Sequence, residues 1–147
     1  MRTARLASTC LLLAACSGPP APLCGQGQDP VIVTGLAGRL DGEPVVEVQL
    51  VVPDTCEVLG ETWMFWDEDA DAVTLGEEPT SGTLEGAGVD TDPTLIFFRD
   101  LNLGVHLDYP GGEVGSELTL TWFSGEEDLA TVSCAGADGV LACEVAP

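Results

Sequence analysis

Short runs rich in β-branched and aromatic residues recur about every ten residues along most of this chain, separated by clusters of Gly, Pro, Asp and Asn. That rhythm is the strongest constraint on the fold, because strand-length segments joined by tight turns bury their apolar sides only by forming sheets that cover one another. Candidate strands are residues 31–34 with 36–40, 45–52, 61–66, 72–75, 82–85, 94–99, 104–108, 117–123, 129–134 and 140–145. In 45–52, Val46, Val48, Leu50 and Val52 share one face while Glu47 and Gln49 fall on the other, the alternation of a half-buried strand. No stretch carries a convincing helical period. The expectation is an all-β domain of seven to nine strands, a disulfide-stapled antiparallel sandwich of Ig-like type, with a small β-barrel as runner-up.

Charge then narrows the function. The chain has 25 acidic side chains against four cations, which are Arg2, Arg5, Arg39 and Arg99; there is no lysine. Beyond the N-terminal segment, two arginines face 25 carboxylates, a formal charge of −23. Phosphate backbones require a basic surface, so nucleic-acid binding is excluded, and so is charge-driven docking on anionic lipid. Without lysine there is no Schiff-base chemistry and no phosphate-loop lysine, and with His106 as the sole histidine no two-histidine metal site forms within one chain.

The N-terminus reads as an address. Arg2 and Arg5 precede an apolar run over residues 6–15 broken only by Ser8 and Thr9, too short to span a bilayer. Leu13-Ala14-Ala15-Cys16 resembles the lipobox of bacterial lipoproteins. The resemblance covers about the first sixteen residues and implies cleavage before Cys16, with a lipid on Cys16. In enteric-type lipoproteins an aspartate after the cysteine favours the inner membrane; Ser17 stands there instead, which points to the outer membrane of a bacterial envelope. Residues 1–15 are thus expected to be a signal peptide and 16–28, rich in Pro and Gly, a flexible tether beginning at the lipidated cysteine. Residues 29–147 are left as a single β domain.

Four cysteines remain, Cys24, Cys56, Cys134 and Cys143, and outside the cytoplasm they imply two disulfides. Asp138-Gly139 is the strongest two-residue hairpin signal in the chain. A hairpin centred there pairs Ala137 with Val140, and counting outward pairs Cys134 with Cys143 on a non-hydrogen-bonded rung, where Cα atoms stand about 4.5 Å apart and a cross-strand bridge fits. Cys24 is then left to pair with Cys56. A similar count through the loop 124–128 places Phe123 opposite Leu129 and puts Leu118, Leu120 and Trp122 on the same buried side as Ala130, Val132 and Cys134.

Among residues that could carry chemistry, the acidic run beginning at Asp67 is the most pointed. Asp67, Asp69, Asp71 and Glu78 occupy positions 1, 3, 5 and 12 of a calcium-loop pattern, where oxygens wrap a hard cation. It resembles an EF-hand loop in those four residues only: the glycine expected at position 6 is Ala72, and the flanks read as strands. An exposed acidic hairpin turn is the competing reading. Trp63 and Phe65 alternate with Met64 and Trp66, which suits a strand covered on both faces; the alternative is an exposed aromatic platform at Trp66, and Phe97-Phe98 poses the same choice. His106 alternates with Val105 and Leu107 as a solvent-facing strand residue does. Ser81, Ser116, Ser124 and Ser133 sit in ordinary turn or strand contexts, so no nucleophilic triad is indicated. The expectation is a non-enzymatic binding or adhesion module with a strongly acidic surface, anchored to the membrane by lipid and suited to a cationic protein or envelope component. A structural envelope component and a calcium-binding β domain are the alternatives.

Overall fold

The computed structural model describes residues 31–52, 54–91, 93–109, 117–137 and 140–146. They form ten strands, more than the seven to nine expected, and no α-helix occurs among the described residues. The strands are β1 (Ile32–Leu40), β2 (Glu43–Val52), β3 (Glu57–Asp67), β4 (Ala72–Gly76), β5 (Leu84–Thr91), β6 (Leu95–Phe98), β7 (Leu103–Asp108), β8 (Glu117–Ser124), β9 (Glu127–Ala137) and β10 (Val140–Val145), with a 3-10 turn at Arg99–Leu101. Two five-stranded sheets result: sheet A in the order β4-β3-β2-β1-β5 and sheet B in the order β10-β9-β8-β7-β6. All pairings within them are antiparallel. The sheets face each other without closing into a barrel. The architecture is that of the Ig-like sandwiches, with a strand order of its own in which the chain crosses between sheets once, after β5.

The core lies between the inner faces. Val46, Val48 and Leu50 of β2, with Met64 and Trp66 of β3, meet Val105 of β7, Leu118, Leu120 and Trp122 of β8 and Val132 of β9. Trp66 and Trp122 stack across the gap, centroids 5.4 Å apart and planes 12° from parallel, joining the two sheets near one end. On the β4/β10 side Gly60 makes the approach possible: a Cβ there would lie 2.7 Å from the Leu141 amide nitrogen, so only glycine lets β10 close onto β3. At the other side Arg39 of β1 ion-pairs with Asp100 in the 3-10 turn, and its guanidinium lies 5.7 Å from the Phe98 ring centroid.

The C-terminal hairpin has the register read from Asp138-Gly139: Ala137 pairs with Val140 and Cys134 with Cys143. The two cysteines are bridged, their Cα atoms 4.0 Å apart. Leu118, Leu120 and Trp122 pair with Cys134, Val132 and Ala130, as counted. The turn itself differs. Phe123 pairs with Asp128 rather than Leu129, and a register shift follows Trp122. Gly125, at φ +60, allows a two-residue turn at Gly125-Glu126, and the surplus residue is taken up as a bulge.

Sheet A is a four-strand meander whose connection, residues 77–83, returns across its outer face to set β5 beside β1, a Greek-key return with one extra strand. Pro79, Thr80, Ser81 and Gly82 border Trp63 and Leu40 there. Asp41 fixes the far end of the connection, its amide donating to the Thr83 carbonyl and its carboxylate accepting from the Thr83 amide, both at 3.0 Å. Trp63, which points away from the core, is thereby 3% exposed. The strand expected at 82–85 begins at Leu84 and continues to Thr91: Gly86, at a left-handed φ of 62°, sits in the bulge where the pairing with β1 shifts register, and the ladder resumes at Gly88 opposite Ala37.

Candidate binding face

Among the described residues no connection lies across the outer face of sheet B. Its pattern follows from register: Phe97 of β6 pairs with Gly104 of β7, which pairs with Phe123 of β8, while His106 pairs with Leu95 on the next rung of the same face. Gly104 is the device that assembles the cluster. A Cβ there would stand 2.4 Å from Phe123 Cζ and 3.0 Å from Phe97 Cδ2, so the missing side chain is the space the Phe123 ring lies in. Phe123 consequently stacks on His106, centroids 4.4 Å apart and planes 16° apart, and faces Phe97 at 6.5 Å. Leu95 is 51% exposed and Phe97 45% exposed. Around this apolar platform stand half-buried hydroxyls at Thr119, Thr121, Thr131 and Ser133, with Asp108, Glu117 and Asp128 exposed beyond them. Rings flush with a sheet and rimmed by hydrogen-bonding groups form a surface that gains by being covered.

Phe97 therefore departs from the expectation that both Phe97 and Phe98 are covered: Phe98 points into the core and Phe97 outward on an edge strand. Trp66 follows the covered reading, at 3% exposed. His106 is exposed on its strand as expected, and its ring contact with Phe123 is what sequence reading missed. The signal was available in parity, since positions 97, 104, 106 and 123 fall on one face once strands β6 to β8 are paired.

The four residues of the calcium-loop pattern are divided. Asp67, Asp69 and Asp71 share the β3–β4 turn, where Asp67 Oδ1 accepts from the Asp69 amide at 2.9 Å and the Ala70 amide at 3.2 Å. Asp71 takes a left-handed φ of 47°, and β4 begins directly after it at Ala72, where the pattern needs its glycine. Glu78 lies past the other end of β4, against Trp63 on the outer face of sheet A. The four rises of β4, about 3.3 Å each, hold it away from the turn, whereas calcium ligands must all approach one ion to about 2.3–2.6 Å. Among the described residues no group of three or more His, Cys, Asp or Glu side chains is placed to hold a metal. Cys56 is disulfide-bonded and exposed, at a φ of 61°. Cys16 and Cys24 lie outside the described residues, as do the signal segment, the tether and Ser116.

One carboxyl stands apart. Glu47 pairs with Trp63 on β3 and Leu36 on β1, beneath the region the 77–83 connection covers. Burial first, then the neighbouring Glu61 and Glu78 carboxylates, push its pKa from 4.5 up to about 7. The folded state thus prefers Glu47 protonated. Its favourable contribution is complete below about pH 4.5 and is lost as pH rises through about 7. Glu47→Gln is expected to match the wild type at pH 4.5 and to exceed it at pH 8. Screening of a half-exposed group limits the gain to on the order of 1 kcal/mol, a few degrees in Tm. Thermal melts of both proteins across pH 4–8 check this; curves that stay parallel would refute it.

No protein-family model matches this chain, and neither a curated protein nor a solved structure shows significant similarity to it.

Proposed function

We propose that this chain is a non-enzymatic binding module of a bacterial envelope, anchored by a lipid on Cys16, spaced from the membrane by a short tether, and engaging its partner through the outer face of sheet B. The observation that carries the reading is the platform of Leu95, Phe97, His106 and Phe123, an aromatic surface that none of the described residues covers, on a domain that is otherwise strongly acidic. Such a surface costs solubility in an unbound protein, and covering it by a partner recovers that cost. The acidity favours a cationic protein or envelope component, which the field of the domain would draw in and orient. Two or more acyl chains on the anchor hold far better than one, each buried methylene adding about 0.8 kcal/mol.

The test compares the wild type with the double variant Leu95→Ser, Phe97→Ser as baits on envelope extract over a range of ionic strength. Both side chains are about half exposed, so the variant should keep its Tm within a few degrees. The wild type is expected to retain a discrete partner at near-physiological salt and the variant to lose at least tenfold of it. Equal capture by the two baits, or recovery only of salt-labile, indiscriminate basic proteins, would defeat the reading and leave a structural envelope role in its place.

A further inference from the structure

The turns 68–71, 99–102 and 125–126 gather at one end of the sandwich around a cavity of about 210 Å³. Its floor is Trp66, held from behind by the stacked ring of Trp122, together with Leu103; both floor residues are buried. Leu129 and Ser124, half-buried, form the walls, and Glu68 and Asp71 stand exposed at the mouth. Asp67, whose carboxylate caps its own turn, is not part of the lining.

We propose that this cleft receives a lysine side chain, presented by a partner protein. The inference goes beyond the sheet-face reading and does not depend on it. An apolar floor under an acidic mouth matches a group that is aliphatic along its length and positive at its tip, the way lysine lays its methylenes on apolar surface and keeps its ammonium in a polar rim. The three donors of the ammonium would find the Glu68 and Asp71 carboxylates and the Ser124 hydroxyl. A bare divalent ion fits poorly, since calcium takes six to eight oxygens and only Glu68, Asp71 and Ser124 among the lining side chains carry any. A guanidinium is broader and rides on a shorter aliphatic stem, so it lays less methylene on the Trp66 and Leu103 floor. The chain has no lysine of its own, so neither its own tail nor a second copy can fill the cleft in this way. The occupant proposed is therefore a partner protein, and a formal charge of −21 concentrates cationic partners near the surface.

The experiment is an NMR titration of the isotope-labelled full chain with Nα-acetyl-lysine methylamide, with its Nε-acetylated, norleucine and arginine counterparts and matched sodium chloride as parallel arms. Saturable shifts centred on Trp66, Leu103, Ser124 and Leu129 are expected with the lysine compound, weakened at least tenfold when the ammonium is acetylated or replaced. The double variant Glu68→Gln, Asp71→Asn should lose at least tenfold in affinity. Both positions are exposed turn residues, and asparagine tolerates the left-handed φ of Asp71, so the fold is kept. Asp54→Asn with Glu57→Gln, which removes two carboxylates from the opposite end, should bind as the wild type does. Shifts spread over the acidic surface and reproduced by salt, equal affinity in the Glu68/Asp71 variant, or an arginine compound that binds as tightly would each overturn the proposal. Because the probe is a single amino-acid derivative, failure of the sheet-face test leaves this result unaffected, and the reverse holds.

Discussion

Trp122→Ala is expected to remove about 3–5 kcal/mol of stability, the range for deleting a fully buried large aromatic. Domains of this size are stable by about 5–15 kcal/mol in total, so the variant should sit near the edge of folding at 37 °C. The ring has no exposed surface, lies among residues of both sheets and stacks on Trp66 from the opposite one, so its loss opens a void that neither sheet can fill by itself. Trp122→Phe separates volume from polarity. The Trp122 indole N–H is buried with no acceptor among the described residues, and phenylalanine removes that unpaired donor, a relief of about 1–3 kcal/mol that offsets part of the lost packing. Urea titrations of the three proteins should rank wild type near Trp122→Phe and both well above Trp122→Ala. An alanine variant within about 1 kcal/mol of wild type would mean that this ring does not hold the sheets together.

The double variant Cys134→Ala, Cys143→Ala is expected to lose about 2–4 kcal/mol, on the order of 10 °C in Tm. The loop closed is short, nine residues apart in sequence, so chain entropy places the effect in the lower part of that range. Packing adds to it, because Cys134 is 1% exposed and belongs to the core. Reduction of the wild type should lower Tm by more than this variant does, since Cys56 is also bridged. A variant that melts with the wild type would show that β9 and β10 are held by their ladder alone.

Much of the fold was legible because local chemistry and pairing agreed. The count outward from Asp138-Gly139 agrees with the observed register of β9 against β10, which puts two cysteines opposite each other. The alternation in β2 identified Val46, Val48 and Leu50 as core, and all three are buried. What could not be read was which outward faces would be covered. Trp63 and Phe97 are both aromatic residues pointing away from the core, yet one is buried and the other is 45% exposed. The difference is topological: residues 77–83 cross the outer face of sheet A, and among the described residues no segment crosses that of sheet B, a simple meander. The same limit hid the binding face, since Phe123 meets His106 only across Gly104, and hid the cleft, whose lining comes from strand ends and turns distant in sequence. In the acidic run, spacing counted residues along the chain, whereas β4 keeps Glu78 away from Asp67, Asp69 and Asp71.

The single crossing after β5 has a consequence for how the protein comes apart. Among the described residues every ladder in sheet A is made among β1 to β5 and every ladder in sheet B among β6 to β10, so no described strand pairing joins the chain before the crossover to the chain after it. Each half nevertheless carries an apolar face that only the other half shields. Pairing is therefore local while burial is shared: a protease nicking the crossover would leave two fragments clasped face to face, and it is their separation, not the cut, that would end the folded state.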